Sequence, residues 1–393
     1  MNNKNETKTL PVEGGASSHR SSDHVDKQII VNALGFLRDP YLNAADEEGR
    51  NAQPLVPPQA IRDARDSGVT AVNITIGHVY GPADPYAYSL EETKRWNAAI
   101  DDHPHDLLKV HTSQDILRAK RENKIGLILG FQNAEMLGRD IGRVDEFADA
   151  GVRVFQLTYN SANLLGGGST APGDPGLTVF GHEVLERMSA KRVIADLSHS
   201  GQQLCMDAVR ASPLPVAITH TGCRALADLP RNKTDEELRL VTERGGFVGI
   251  YFMPFLAIGR NATADDVIVH IEHAIKVCGE DHVGIGTDNT FSGYNDMEML
   301  KVEFAKLVAY RRSIGISAPG EDPEIFPFVE EFLGPAQFRR LAAGLAELGH
   351  SPTRKRTDER VHKQRRPAVR KQLGSRYTTK SFPKTPTIHS GHR

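Results

Sequence analysis

Two stretches decide the fold: Val193-Ile-Ala-Asp-Leu-Ser-His199 and Val216-Ala-Ile-Thr-His220. Each is a largely apolar run of strand length that closes on a histidine. A strand that stays apolar rather than alternating is buried on both faces, as in a parallel sheet covered by helices. Similar runs stand at Gln28–Leu34, Val69–Ile76, Ile125–Phe131, Val152–Leu157, Phe247–Phe252 and Val283–Ile285. Helical spacing fills stretches between them, at Pro57–Ser67, Leu90–Asp101, Ser113–Glu122, Gly181–Ala190 and Thr263–Val277, and a helical pattern returns over Pro323–Leu348. Eight strands separated by helices predict an α/β fold, a (β/α)8 barrel of the TIM type. An open doubly wound sheet is disfavoured because no G-x-G-x-x-G follows the first strand. Gly166-Gly-Gly168 reads as a flexible turn after the Val152 strand.

The chain of 393 residues is 39% hydrophobic and 25% charged, ordinary for a globular protein. Its formal charge of -2 conceals an asymmetry. From Arg354 to Arg393 there are 13 Lys or Arg against Asp358 and Glu359, and the remainder carries 35 basic and 48 acidic residues. The expected organisation is a polar flexible leader over 1–27, a barrel over 28–349, and a basic, disordered tail over 350–393. Low hydrophobicity without aromatic interleaving favours disorder in the tail over contact with nucleic acid or acidic lipid. Cys205, Cys223 and Cys278 form no C-x-x-C and are odd in number, which speaks against a disulfide framework or a thiolate zinc site. With no apolar leader and no membrane-length apolar run, a cytoplasmic protein without a membrane partner is expected.

Barrels of this kind place chemistry where strands end, at the C-terminal face. His199 and His220 end consecutive strands, and Val283-Gly-Ile-Gly-Thr-Asp288 ends the last strand on an aspartate. Two imidazoles and a carboxylate on one rim can hold a divalent metal and move a proton from its bound water.

These motifs carry a resemblance. Asp196-Leu-Ser-His-Ser200, Thr219-His-Thr-Gly222, Pro230-Arg-Asn232, Gly284-Ile-Gly-Thr-Asp288, Gly151-Val-Arg-Val-Phe-Gln-Leu-Thr-Tyr-Asn160 and Gly176-Leu-Thr-Val-Phe-Gly181 resemble, in order, those of the membrane (renal) dipeptidase family, peptidase family M19. The resemblance implies a two-zinc amidohydrolase barrel that cleaves dipeptides. It assigns His199 and His220 to a metal, Asp288 to proton transfer, and Arg231 to the substrate carboxylate, which a planar guanidinium suits. Such barrels often pair as homodimers, although no stretch of this chain marks an interface.

The sequence departs from that pattern at one place. The family's first strand ends in His-x-Asp, whereas Leu34 and Phe36 stand here. Gln132 replaces a bridging glutamate, and Tyr159 stands where many members have a histidine that contacts substrate. The expectation is therefore a metallo-dipeptidase with one retained zinc, bound by His199 and His220, with Gln132 or Asp288 and water completing the shell. His78 is a further rim histidine, read as a hydrogen-bonding residue rather than a ligand, and His103, His105, His111 and His182 read as surface residues. The alternative is a catalytically inactive barrel that binds an amino-acid-like ligand through Arg231.

Overall fold

Parallel strands alternate with helices throughout the computed structural model, which describes residues 28–38, 54–294 and 296–350. The chain divides into two units at His350/Ser351, and the described residues lie in the first. The leader read over 1–27, and all of the tail beyond His350, fall outside the described residues.

The strands are β1 (Val31–Gly35), β2 (Ala71–Thr75), β3 (Leu107–Lys109), β4 (Ile125–Phe131), β5 (Val152–Gln156), β6 (Ile194–Asp196), β7 (Ala217–Thr221), β8 (Phe247–Ile250) and β9 (Val283–Ile285). The helices are α1 (Pro58–Ser67), α2 (Pro85–Asp102), α3 (Ser113–Arg121), α4 (Gly142–Asp149), α5 (Val179–Ala190), α6 (Gln202–Ala211), α7 (Asp235–Glu243), α8 (Ala264–Cys278), α9 (Met297–Ser313) and α10 (Gln337–Glu347). Strand order runs β1-β2-β4-β5-β6-β7-β8-β9, all parallel. The short β3 pairs with Ile125–Leu127 of β4, beside the part of β4 that β5 takes from Leu129 to Phe131. Lys109 interrupts its apolar run, which hid it in the sequence.

The ends of the sheet meet. Asp288 N donates to Leu34 O (3.0 Å) and Phe36 N to Asn289 O (3.0 Å). Inside, the buried amide of Asn32 donates to Thr287 Oγ1 (2.9 Å) and accepts from Thr287 N (2.9 Å), which staples the first strand to the last. This is an eight-stranded (β/α) barrel with one extra strand, and its core is the continuous apolar set that the sequence marked: Val72, Leu127, Leu129, Phe155, Ile218 and Val248 are all buried. Gly249 and Gly286 leave room in the barrel for the Thr219 carbonyl, where any Cβ would collide with that backbone. Helix starts follow local chemistry: Thr234 with Glu237, and Thr263 with Asp266, close capping boxes before α7 and α8.

Two expectations need correction. The helical pattern over 323–348 becomes a helix only at Gln337–Glu347, after a 3-10 turn at Glu330–Phe332. Pro323, Pro327 and Pro335 lack the N–H that a continuous helix needs. Nor is Gly166-Gly-Gly168 a loose turn. All three glycines are buried, Gly201 N donates to Gly167 O (2.9 Å), and Ser169 N donates to His199 O (2.7 Å). The run braces the segment that carries His199.

Candidate active site at the C-terminal rim

Gln132, Tyr159, His199, His220 and Asp288 each stand within three residues of the C-terminal end of a strand. Gln132 follows β4, Tyr159 follows β5, His199 follows β6, His220 lies in β7, and Asp288 follows β9. Arg231 comes from the loop between β7 and α7. The histidines meet: His199 Nε2 and His220 Nε2 are 3.0 Å apart, and both rings are buried.

The tautomers follow from the hydrogen bonds behind the rings. Asp196, ending β6, accepts from Ser198 N (3.0 Å), Ser198 Oγ (2.5 Å), Thr219 N (3.0 Å) and Thr219 Oγ1 (2.6 Å). With Asp196 ionised, both hydroxyl protons are committed to it. Thr219 Oγ1 can then only accept from His220 Nδ1–H (2.9 Å). Asn160 Oδ1 likewise accepts from His199 Nδ1–H (2.7 Å), because Asn160 Nδ2 is committed to Ile316 O (2.8 Å). Both Nε2 atoms therefore present lone pairs to each other. Burial, and then the Arg231 charge, hold both histidines well below the ordinary imidazole pKa, so they are neutral at pH 7. Burial raises the Asp196 pKa, and its four donors oppose that shift.

Opposed lone pairs call for positive charge between or beside them. Outer hydrogen bonds that fix a metal-facing nitrogen are the usual support of a histidine metal ligand. The donor chemistry fits one divalent cation on His199 and His220. No third such donor joins the pair: among the described residues no group of three His, Cys, Asp or Glu is placed to hold an ion, and at the first strand Leu34 is buried and apolar and Phe36 half-buried. Arg231, 2% exposed, supplies charge directly, with Nη2 3.0 Å from His199 Nε2 and Nη1 on Ser198 O (2.6 Å).

Asp288 is half-buried with φ 53°, a left-handed backbone rare for a residue with a side chain. Burial raises its pKa to about 7, against the lowering pull of Arg231, Arg311, Gln132 and Arg38. Gln132 lies near enough to act on the carboxyl, yet its Nε2 has no partner at full hydrogen-bonding geometry. Tyr159 stacks on His199, ring centroids 4.2 Å apart and planes at 21°, and its hydroxyl accepts from Arg311 Nη2 (2.9 Å). Burial pushes the Tyr159 phenol up to about 12. Arg311 also pairs with Glu321 (2.9 Å).

Sequence reasoning passed over Arg311, Glu321 and the role of Asn160. Asn160 stood inside a quoted motif, whereas α9, which carries Arg311, gave no local signal. His78 stays apart from the histidine pair, with Nε2 3.3 Å from Gly81 O and Nδ1 3.8 Å from Glu135 Oε2. His105, His111 and His182 are exposed, and His103 is half-buried.

Residues 61–312 match the model of the membrane dipeptidase family, peptidase family M19. The chain belongs to that family. It is 31% identical over 191 residues to an uncharacterised protein from the pqqA 5′ region of Klebsiella pneumoniae, covering 45% of this chain and 69% of that one. It is 30% identical over 208 residues to an uncharacterised dipeptidase of Schizosaccharomyces pombe, covering 51% of this chain and 50% of that one, so it spans half the length of that relative. The crystal structure of an amidohydrolase from Pseudomonas aeruginosa superposes with a TM-score of 0.70 at 28% identity, over 84% of this chain and 93% of that one. No helix among the described residues is long and apolar enough to cross a membrane.

Proposed function

We propose that this protein hydrolyses the amide bond of dipeptides or dipeptide-like small molecules, using one divalent cation, zinc by family resemblance, held by His199 and His220 with Gln132 near the shell. The observation that carries the reading is the pair of neutral imidazoles whose unprotonated Nε2 atoms face each other at 3.0 Å. Bound there, the cation would polarise the scissile carbonyl and acidify a water. The protein's own groups divide the remaining work. Asp288 takes the proton from the attacking water and returns it to the leaving amine nitrogen, a task suited to a carboxyl near pKa 7. Arg231 holds the substrate carboxylate, and Tyr159 closes the site over His199. Three free thiols, Cys205, Cys223 and Cys278, suit a cytoplasmic setting.

The test is metal content of protein purified without chelators, beside His199→Ala/His220→Ala, followed by assay of L,L- and L,D-dipeptides. About one equivalent of zinc, lost in the double variant, together with hydrolysis supports the reading. No retained metal after incubation with zinc, and no hydrolysis, overturns it. That outcome would favour a non-catalytic barrel binding an amino-acid-like ligand, a reading supported by buried Leu34 in the first strand.

A further inference from the structure

Beside the histidine pair lies a cavity of about 410 Å³ with an unusual lining. Tyr80, Tyr159 and Tyr310 contribute rings to it, with Tyr80 centred 5.7 Å from Tyr159 and 6.5 Å from Tyr310. Tyr159 is shared, since one ring both lines this cavity and stacks on His199. Asn133, the residue after Gln132, is a second shared edge. A substrate whose scissile amide sits at the histidines is thus one ring's thickness from the cavity.

Charge and shape narrow what it takes. Among the lining residues Glu135 alone has a carboxyl or a basic side chain. Arg311 approaches the Tyr80 and Tyr159 rings (5.5 and 5.6 Å), but its charge is met by Glu321. His78 faces Glu135 with Nδ1, and its Nε2–H is directed to the Gly81 carbonyl. Aromatic faces attract cations through the ring quadrupole, and a partly exposed carboxylate adds a point charge. The volume exceeds what an ammonium alone needs, and Ile314 and Ile316 supply apolar wall for an alkyl stem.

We propose that this cavity receives the side chain of the substrate's N-terminal residue and selects a basic one, lysine- or arginine-like, through the three tyrosines and Glu135. The inference rests on the hydrolase reading for the direction in which the substrate lies.

The test compares dipeptides sharing one C-terminal residue and carrying Lys, Leu or Glu at the N-terminal position, with wild type, Glu135→Gln, Tyr310→Phe and Tyr310→Leu. The Lys substrate should have the lowest KM. Glu135→Gln should raise its KM about two- to fivefold and leave that of the Leu substrate in place. Tyr310→Leu should act in the same direction, and Tyr310→Phe should not. Calorimetry with L-lysinamide and L-leucinamide reads the cavity without turnover. Lysinamide binding that weakens in Glu135→Gln, with no hydrolysis of any dipeptide, would keep the cavity assignment and sink the hydrolase reading. Hydrolysis with Leu or Glu preferred, and no response to Glu135→Gln, would overturn the cavity assignment and keep the hydrolase. Neither hydrolysis nor preferential lysinamide binding would sink both.

Discussion

Arg231 reaches His199 Nε2 with one arm of its guanidinium (3.0 Å) and the Ser198 carbonyl with the other (2.6 Å). The two contacts use the planar fork, which an ammonium cannot reproduce. Arg231→Lys should therefore keep the charge and lose the geometry. We expect a folded protein whose KM for a dipeptide rises at least about tenfold, in line with the loss of a charge-assisted hydrogen bond. Steady-state kinetics with a circular dichroism melt would check it; an unchanged KM would remove Arg231 from substrate binding.

Thr219 holds the tautomer of His220 while satisfying Asp196. Thr219→Val removes both bonds at nearly constant volume and leaves buried polar atoms short of partners, costing about 1–3 kcal/mol. On the proposed metal reading, zinc affinity should fall about 10–100-fold, the usual effect of losing an outer partner of a ligand. Thr219→Ser should restore both. Competitive chelator titration and urea denaturation separate the two effects.

Lys233 and Glu237 form a buried ion pair at 3.1 Å, each 2% exposed, and Lys233 also donates to the Ser200 carbonyl (2.5 Å). This ties the Arg231 loop to the strand end bearing His199. Lys233→Met strands a buried carboxylate and should cost about 3–5 kcal/mol, whereas adding Glu237→Gln should recover much of that. Denaturant midpoints of the single and double variants decide it; equal midpoints would mean that the pair contributes no coupling.

His270 makes a clear prediction for pH. Cys223 N donates to its Nδ1 (2.9 Å), and its Nε2–H is directed to Leu256 O (3.1 Å), so protonating Nδ1 would oppose two N–H groups. Burial depresses its pKa to about 4. The unfolded chain takes up this proton near the ordinary imidazole value of about 6.5 and the folded protein only near 4. This group's stability contribution is thus complete above about 6.5 and is lost as pH falls toward 4. The loss is about 3 kcal/mol at most. A plot of unfolding free energy against pH should lose that part of its acid slope in His270→Gln; an unchanged slope would refute the assignment.

Much of the fold was legible because its signals are local. Ile125–Phe131 and Val283–Ile285 read as strands and are strands with those bounds; the first is buried at all but one position, as a continuous apolar run implies, and the second is half-buried. Leu107–Lys109 was missed because Lys109 interrupts its apolar run. Over 323–348, apolar spacing outvoted the prolines, and the prolines won.

The site divides in the same way. His199, His220 and Asp288 could be placed on one rim from sequence alone, because parallel strands in a barrel all end on the same face. That reasoning fixes the face and not the distances. Only the tertiary structure turned the two Nε2 atoms toward each other, brought Arg231 onto His199, and carried Arg311 to Tyr159 across 152 residues of chain. Hydrophobic pattern specifies which residues leave water, and it does so residue by residue. Hydrogen-bond partners, pKa values and cavity walls depend on groups that meet only when the barrel closes, and no local pattern encodes them.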